Sequence, residues 1–347
     1  MLDTFQSIIR TVSAHIVGNS INQEELKLSG SPLNIEGDTL KKLLLTYFLS
    51  NFNTPEYYTF TSSNEDFTSN PIFKFAKEIF DDSDCLHQNS IDIAKHLYTA
   101  ASQHAAYKSG DLYVAHFSGV TIENRSLDAV GIFKSENKET YLKLRRASNQ
   151  FKLGAEEGIN IRKLDKGCLI LNVEREEGYK ILVVDNASKS DAQFWKHDFL
   201  NVKPWSDSFH HTHNFMNLTR QYVGDQLEEE FSVSKADKID LLNRSMNFFK
   251  SREQFNQNEF EAEVLADASV IESFRNYERT FMSDADIADN FEISAQAVKR
   301  QVRVFKSVLK LDKNFHIYIH GNRELIEKGF DDVKKRHYYK IYFDQES

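Results

Sequence analysis

Bulky apolar residues alternate with other positions from Ser7 to Val17, where Ile8 and Val12 flank Arg10, and the run stops at Gly18-Asn19, which predicts a strand closed by a turn. After Gly37-Asp38 the period lengthens. Leu40, Leu43, Leu44, Tyr47 and Phe48 recur at helical spacing over Thr39 to Ser50, with Asp38 or Thr39 as the expected N-cap. Phe73 to Phe80 and Ser90 to Ser102 read as two more helices, the second with Ile91, Ala94, Leu97 and Tyr98 on one face. From Gly110-Asp111 the short period returns in Leu112 to Val120, Ala129 to Phe133, Tyr141 to Leu144, Cys168 to Val173 and Tyr179 to Val184. Polar or glycine-containing turns separate these runs, as in an antiparallel meander. The stretch from Ala147 to Lys166 fits neither period.

Past Pro204 the pattern is helical again in Phe215 to Leu227, Lys235 to Phe249, Glu259 to Phe281 and Ala295 to Leu309, with Leu242, Met246 and Phe249 as one buried stripe. Phe315, Ile317 and Ile319 then alternate with His316, Tyr318 and His320, and Tyr338 to Phe343 alternates similarly. These two runs predict a final β-hairpin with a long polar connection. The fold class that follows is α+β: an N-terminal α/β region with an antiparallel meandering sheet, then a mainly helical region ending in a β-hairpin. The expected domains are residues 1–205 and 206–347, closely joined, because only 4 Pro and 13 Gly leave little material for flexible linkers.

Composition narrows the setting. The N-terminus lacks a basic start followed by a long apolar run, and no stretch reaches the roughly 18 apolar residues of a membrane span, so neither a signal peptide nor a membrane partner is expected. Cys85 and Cys168 form no CxxC, which argues against disulfides or a cysteine zinc site and fits a reducing cytosol. The net charge of −9 is a poor footprint for nucleic acid, but it is unevenly spread. Val298 to Ser347 holds 12 Lys/Arg against 7 Asp/Glu, a net of +5, which leaves −14 on everything before it. Any contact with DNA is expected in those last fifty residues.

Asp286 to Val302 places Ile287, Ala288, Phe291, Ile293 and Val298 where a helix-turn-helix keeps its core, which would make Ala295 to Lys310 a recognition helix. Glu292 at the turn and Gln301 at an apolar position fit an ordinary core helix pair better. On a continuous helix, Lys299, Arg303, Lys306 and Lys310 form one basic stripe beside the apolar Val298, Val302, Phe305 and Leu309. That stripe reads either as a solvated face or as a phosphate contact. Arg300 adds to it, and Lys334, Lys335 and Arg336 in the hairpin connection would extend it, so these eight residues are the candidate DNA-binding set.

Other chemistry is weakly supported. His210, His211 and His213 in SFHHTHNF offer imidazoles without a completing ligand, and the segment is expected to be a loop. His316 and His320 share a strand face with Tyr318, where stacking or phosphate contact is conceivable. No GxxxxGK, GxGxxG or GxSxG is present. Asp128, Glu139 and Glu174 with Lys143 and Lys180 could make a nuclease-like set, but among 52 acidic residues such coincidences are expected. No catalytic residue, metal or cofactor is assigned.

Several long segments carry a resemblance: LLLTYFLSNF with PEYYTF, IDIAKHLY, GDLYVAHF followed by AVGIFKSE, and AVKRQVRVFKSVLKLDKNFHIYIHGNRELIEKGFD. Together they resemble the bacterial 37-kDa nucleoid-associated protein family, in its Bacteroidetes-type members, over nearly the whole chain. The resemblance implies association with the bacterial nucleoid and DNA binding, in a mixed α and β fold with no known cofactor, and it implies no catalytic role. Phosphate contact with double-stranded DNA with little sequence preference, in a cytoplasmic protein, is the expectation drawn from charge and composition. It supplies no residue-level DNA-contact motif, so the eight cations remain a charge inference. The acidic balance weighs against bulk DNA compaction and leaves open an indirect route to the nucleoid through a protein partner. A homodimer would suit duplex symmetry, although no residue demands one.

Overall fold

The structure is a computed structural model that describes residues 2–62, 66–148, 150–186, 193–281, 288–302, 305, 308–318 and 325–345. Two compact units form, residues 1–205 and residues 206–347.

The first unit contains β1 (Ile8–Val17), β2 (Leu26–Lys27), α1 (Asp38–Leu49), β3 (Tyr57–Phe60), α2 (Pro71–Asp81), α3 (Leu86–Ala101), β4 (Gly110–Ile122) and β5 (Arg125–Ser135). It continues through β6 (Glu139–Ala147), β7 (Gln150–Gly158), β8 (Lys166–Leu171), β9 (Lys180–Asp185) and β10 (Val202–Pro204). Eight strands make one antiparallel sheet in the order β10-β3-β9-β8-β5-β4-β1-β2, and β6 and β7 form a separate ribbon. The middle strands are apolar on both sides because both faces are covered. Leu112, Val114, Val130, Ile132, Cys168 and Ile170 pack with residues of α2 and α3. Phe117, Ala129, Phe133, Leu169 and Leu171 pack with Tyr47, Phe48 and Leu49 of α1. Phe48 stacks on Phe133 at 4.4 Å, in space that a side chain at Gly131 would fill, since its Cβ would lie 2.2 Å from the Phe133 ring.

The second unit opens with α4 (Ser208–Gln221), which runs through a π-helical turn at Tyr222–Gln226 into α5 (Leu227–Glu230). A Ser234/Asp237 capping box starts α6 (Lys235–Ser251). Next come β11 (Gln254–Asn256), α7 (Gln257–Phe260) with a π-helical turn at Glu261–Leu265, α8 (Ala268–Phe281), β12 (Asn290–Glu292) and α9 (Ala295–Gln301). Two hairpins follow, β13 (Val308–Leu311) with β14 (Phe315–Tyr318) and β15 (Ile326–Asp331) with β16 (Arg336–Ile341). Phenylalanine builds this core. The Phe255 ring lies 4.3 Å from Phe215, stacks on Phe291 at 4.5 Å and on Phe249 at 5.5 Å, and touches Phe260 as well.

Several expectations change. Gly37, at φ 82°, occupies the N-cap of α1 and Asp38 is its first residue. The stretch left unread after Ala147 contains β7. The helix expected over Glu259 to Phe281 breaks at Ala266, whose φ is 63°, and restarts where the Asp267 carboxylate accepts the Ser269 and Val270 N–H groups. The SFHHTHNF segment is α4 itself rather than a loop. Phe315 to Tyr318 pairs with Val308 to Leu311, and β16 pairs with β15, so two short hairpins replace one long one.

His15, on β1, accepts the Ser29 N–H at Nδ1 (3.1 Å), and its Nε2 lies 2.9 Å from Ser90 Oγ. Burial, with the nearby His87 charge second, pushes its pKa down to about 4. The fold therefore favours neutral His15. As pH falls from 6.5 toward 4, the unfolded chain takes up a proton that the folded chain resists. The urea midpoint of the first unit should fall over that interval and level off below it, and a His15→Gln variant should show a flatter pH slope between the same limits. In the second unit, Phe255→Ala should cost about 3–5 kcal/mol in urea unfolding, as for other buried aromatic truncations.

Candidate nucleic-acid interface

α9 is short but well anchored. Phe291 holds β12 on Phe255, the Ile293 N–H donates to Glu253 O at 2.7 Å, and the Ser294 N–H donates to Thr212 Oγ1 of α4 at 2.9 Å. Ser294 Oγ then accepts the Ala297 N–H as the N-cap. Ala297, Val298 and Gln301 are buried, which leaves Lys299 and Arg300 exposed on the outer side. Lys299 and Lys250 line a cleft of about 450 Å³ together with Phe249, Ile293, Val298 and the acidic Glu253. The sequence reading did not single out Lys250; its place in the last turn of α6 was the available signal.

The expected recognition helix from Ala295 to Lys310 does not form, because α9 ends at Gln301 and Lys310 lies on β13. Asn290–Glu292 is a strand where the first helix of a helix-turn-helix would close, and Asp286 and Ile287 lie outside the described residues. The single basic stripe is thereby overturned as a helical face. β-Branched Val308, which opens β13, favours extended backbone over helix. Arg303 and Lys306 lie outside the described residues, as does His320.

On the β13–β14 hairpin, Leu309 and Ile317 pair on the inner face, where they pack with Ile239 of α6 and Ile326 of β15. Lys310 and His316 pair on the outer face, which also carries Tyr318, and all three are exposed. Lys334 and Lys335 sit in the β15–β16 turn, 3.8 Å from Asp331 and 3.6 Å from Asp332, and Arg336 opens β16. These surface pairs hold the cations weakly. The structure thus distributes the described candidates over a helix, two strands and a turn.

A family model described as nucleoid-associated protein YejK matches residues 13–336. The chain belongs to this nucleoid-associated protein family. No match to a curated protein is found.

Other groups in this nucleoid-associated protein serve the fold. His211 stacks on Phe291 and its Nε2 lies 3.1 Å from Ser206 Oγ, and His213 stacks on Phe209. Among the described residues no His, Cys, Asp and Glu set converges as a metal site. The nuclease-like set is not assembled: Glu139 accepts from Asn160, Lys143 pairs with Glu156, Lys180 lies over Tyr57, and Asp128 faces His116 at 3.7 Å. The charged cluster that does form is elsewhere. Lys134 and Lys166, partners across β5 and β8, are buried and share Glu136 at 2.9 and 3.3 Å, while Asp185 lies 3.7 Å from Lys166. Lys134 also donates to Lys108 O and lies over the Tyr107 ring, and burial pushes its pKa down to about 8. A small pocket of about 230 Å³ borders the cluster.

In this network each cation faces an acid, and Asp165 beside it takes the Glu136 and Asn137 N–H groups. A charged residue inside the apolar runs AVGIFKS and KGCLIL was the signal available in sequence. Glu136→Ala would strand buried Lys134 and leave Lys166 with Asp185 alone, and should cost about 3–5 kcal/mol in urea unfolding of the first unit.

Proposed function

We propose that the protein binds double-stranded DNA directly and without catalysis, contacting phosphates through Lys299, Arg300 and Lys310, with Lys334, Lys335 and Arg336 as a further group. The observation that carries this reading is the outer face of the β13–β14 hairpin, where Lys310, His316 and Tyr318 are exposed together in the one region of the chain with a net charge of +5. A cation, an imidazole and a phenol suit phosphate and sugar contact, which positions a protein without reading sequence. Arg303 and Lys306 fall between Arg300 and Lys310 in sequence and belong to the same proposal. With the described cations spread over a helix, two strands and a turn, little sequence preference is expected. Membership of a nucleoid-associated family supports the setting.

A second reading, indirect association through a cationic protein partner, draws on the charge of −14 before Val298. Fluorescence anisotropy on a random duplex across a salt series separates the two. Direct binding predicts affinity that falls with salt. Replacing Lys299, Arg300 and Lys310 by Ala should lower affinity and flatten the log–log salt slope by about 2–3. The Lys334, Lys335 and Arg336 to Ala variant should flatten it further. Wild-type affinity no better than that of a neutral protein at low salt would sink the direct reading in favour of a partner.

A further inference from the structure

The ribbon of β6 and β7 pairs with no other strand among those described. Its register divides it into two unlike faces. Leu144 lies opposite Leu153, Leu142 opposite Ala155, and Arg146 opposite Phe151, so these residues share one face. On the other face the Glu156 carboxylate gathers Tyr141, Lys143 and Arg145, which satisfies that side within the ribbon. The first face has no such cover. Leu142 is 72% and Phe151 69% exposed, with Leu144 and Leu153 close behind. A lone two-stranded hairpin is marginally stable in water, and an apolar face of this kind marks an interaction site.

The charges at the two ends of this face identify what fits it. Arg146 stands near the turn and Glu157, opposite Thr140, near the base. Neither has an ion-pair partner among the described residues. A second ribbon laid antiparallel on the first would cover leucine with leucine and bring the Arg146 end of each over the Glu157 end of the other. An isologous two-fold contact requires this self-complementarity. We propose that the β6–β7 ribbon is a dimerisation arm whose occupant is the same ribbon of a second copy of this chain.

Strands of nine residues make an arm about 30 Å long. Two such narrow faces bury less than the roughly 1,200–2,000 Å² of a standard interface, so the dimer should be weak and concentration-dependent.

Sedimentation velocity of the full chain from about 1 to about 100 µM tests this, a range suited to a small interface. The wild type should pass from monomer to dimer within it. Leu144→Arg should remain monomeric with the thermal unfolding of the first unit unchanged. Arg146→Glu and Glu157→Arg should each weaken the dimer at least several-fold, and combining the two reversals should restore it. That restoration separates a specific contact from a general loss of stability. A wild type that is monomeric throughout overturns the proposal. So does a Leu144→Arg variant that still dimerises, and so does a monomeric wild type that loses duplex affinity on Leu144→Arg, which would make the arm a DNA contact instead.

Discussion

In the second unit the constraint on which the rest depends is the stack of Phe255 between Phe249 and Phe291, with Phe215 against its edge. Phe255 lies on a three-residue strand, and three residues of pairing could not hold β12 in place unaided. Ring packing supplies what the short ladder lacks. Once Phe291 is fixed, the chain that follows has little freedom. Ile293 bonds back to Glu253, Ser294 to Thr212, and α9 starts where its cap is already made. Lys299 and Arg300 are exposed because Ala297, Val298 and Gln301 must point inward from that start. A surface feature of the candidate interface is therefore set by aromatic contacts in the interior.

The same region shows what sequence could and could not reveal. Val298, Val302, Phe305 and Leu309 are spaced four, three and four apart, which suits a helix, yet Leu309, Leu311, Phe315 and Ile317 also fit a two-residue period on a hairpin. Two periods overlapped on Leu309. Tertiary packing decided between them, because Leu309 and Ile317 together cover Ile239 and Ile326, which a helix ending at Leu309 could not do. The alternation of Phe315 and Ile317 with His316 and Tyr318 was legible and survives. The partner strand was not, since pairing depends on the turn at Asp312, a residue in the left-handed region that local pattern did not flag.

In the first unit the meander was legible because turn residues separate the runs, and membership of the nucleoid-associated family was legible because its segments are long. The Lys134–Glu136–Lys166 network was not. Lys134 and Lys166 are neighbours through register between β5 and β8, and no spacing within either strand reports that pairing. The three histidines of α4 show the converse: closely spaced in sequence, they do not converge, for His210 and His211 meet edge to face while His211 also stacks on Phe291 and His213 turns to Phe209.

On the proposed reading, an acidic protein with a basic end binds DNA under a restraint. Exposed charges act over about 8–10 Å at ordinary salt, so cations close to a phosphate retain their attraction while distant acids are largely screened. Each acidic group within that range nevertheless subtracts from affinity, and Asp331 and Asp332 sit within 4 Å of Lys334 and Lys335. One chain should therefore hold DNA modestly. A dimer joined through the proposed β6–β7 arm carries two such ends, and where both reach one duplex the second contact forms at a high effective concentration without any new charge. On these two proposals, a weak arm and a weak cationic surface would make binding depend steeply on protein concentration and on salt.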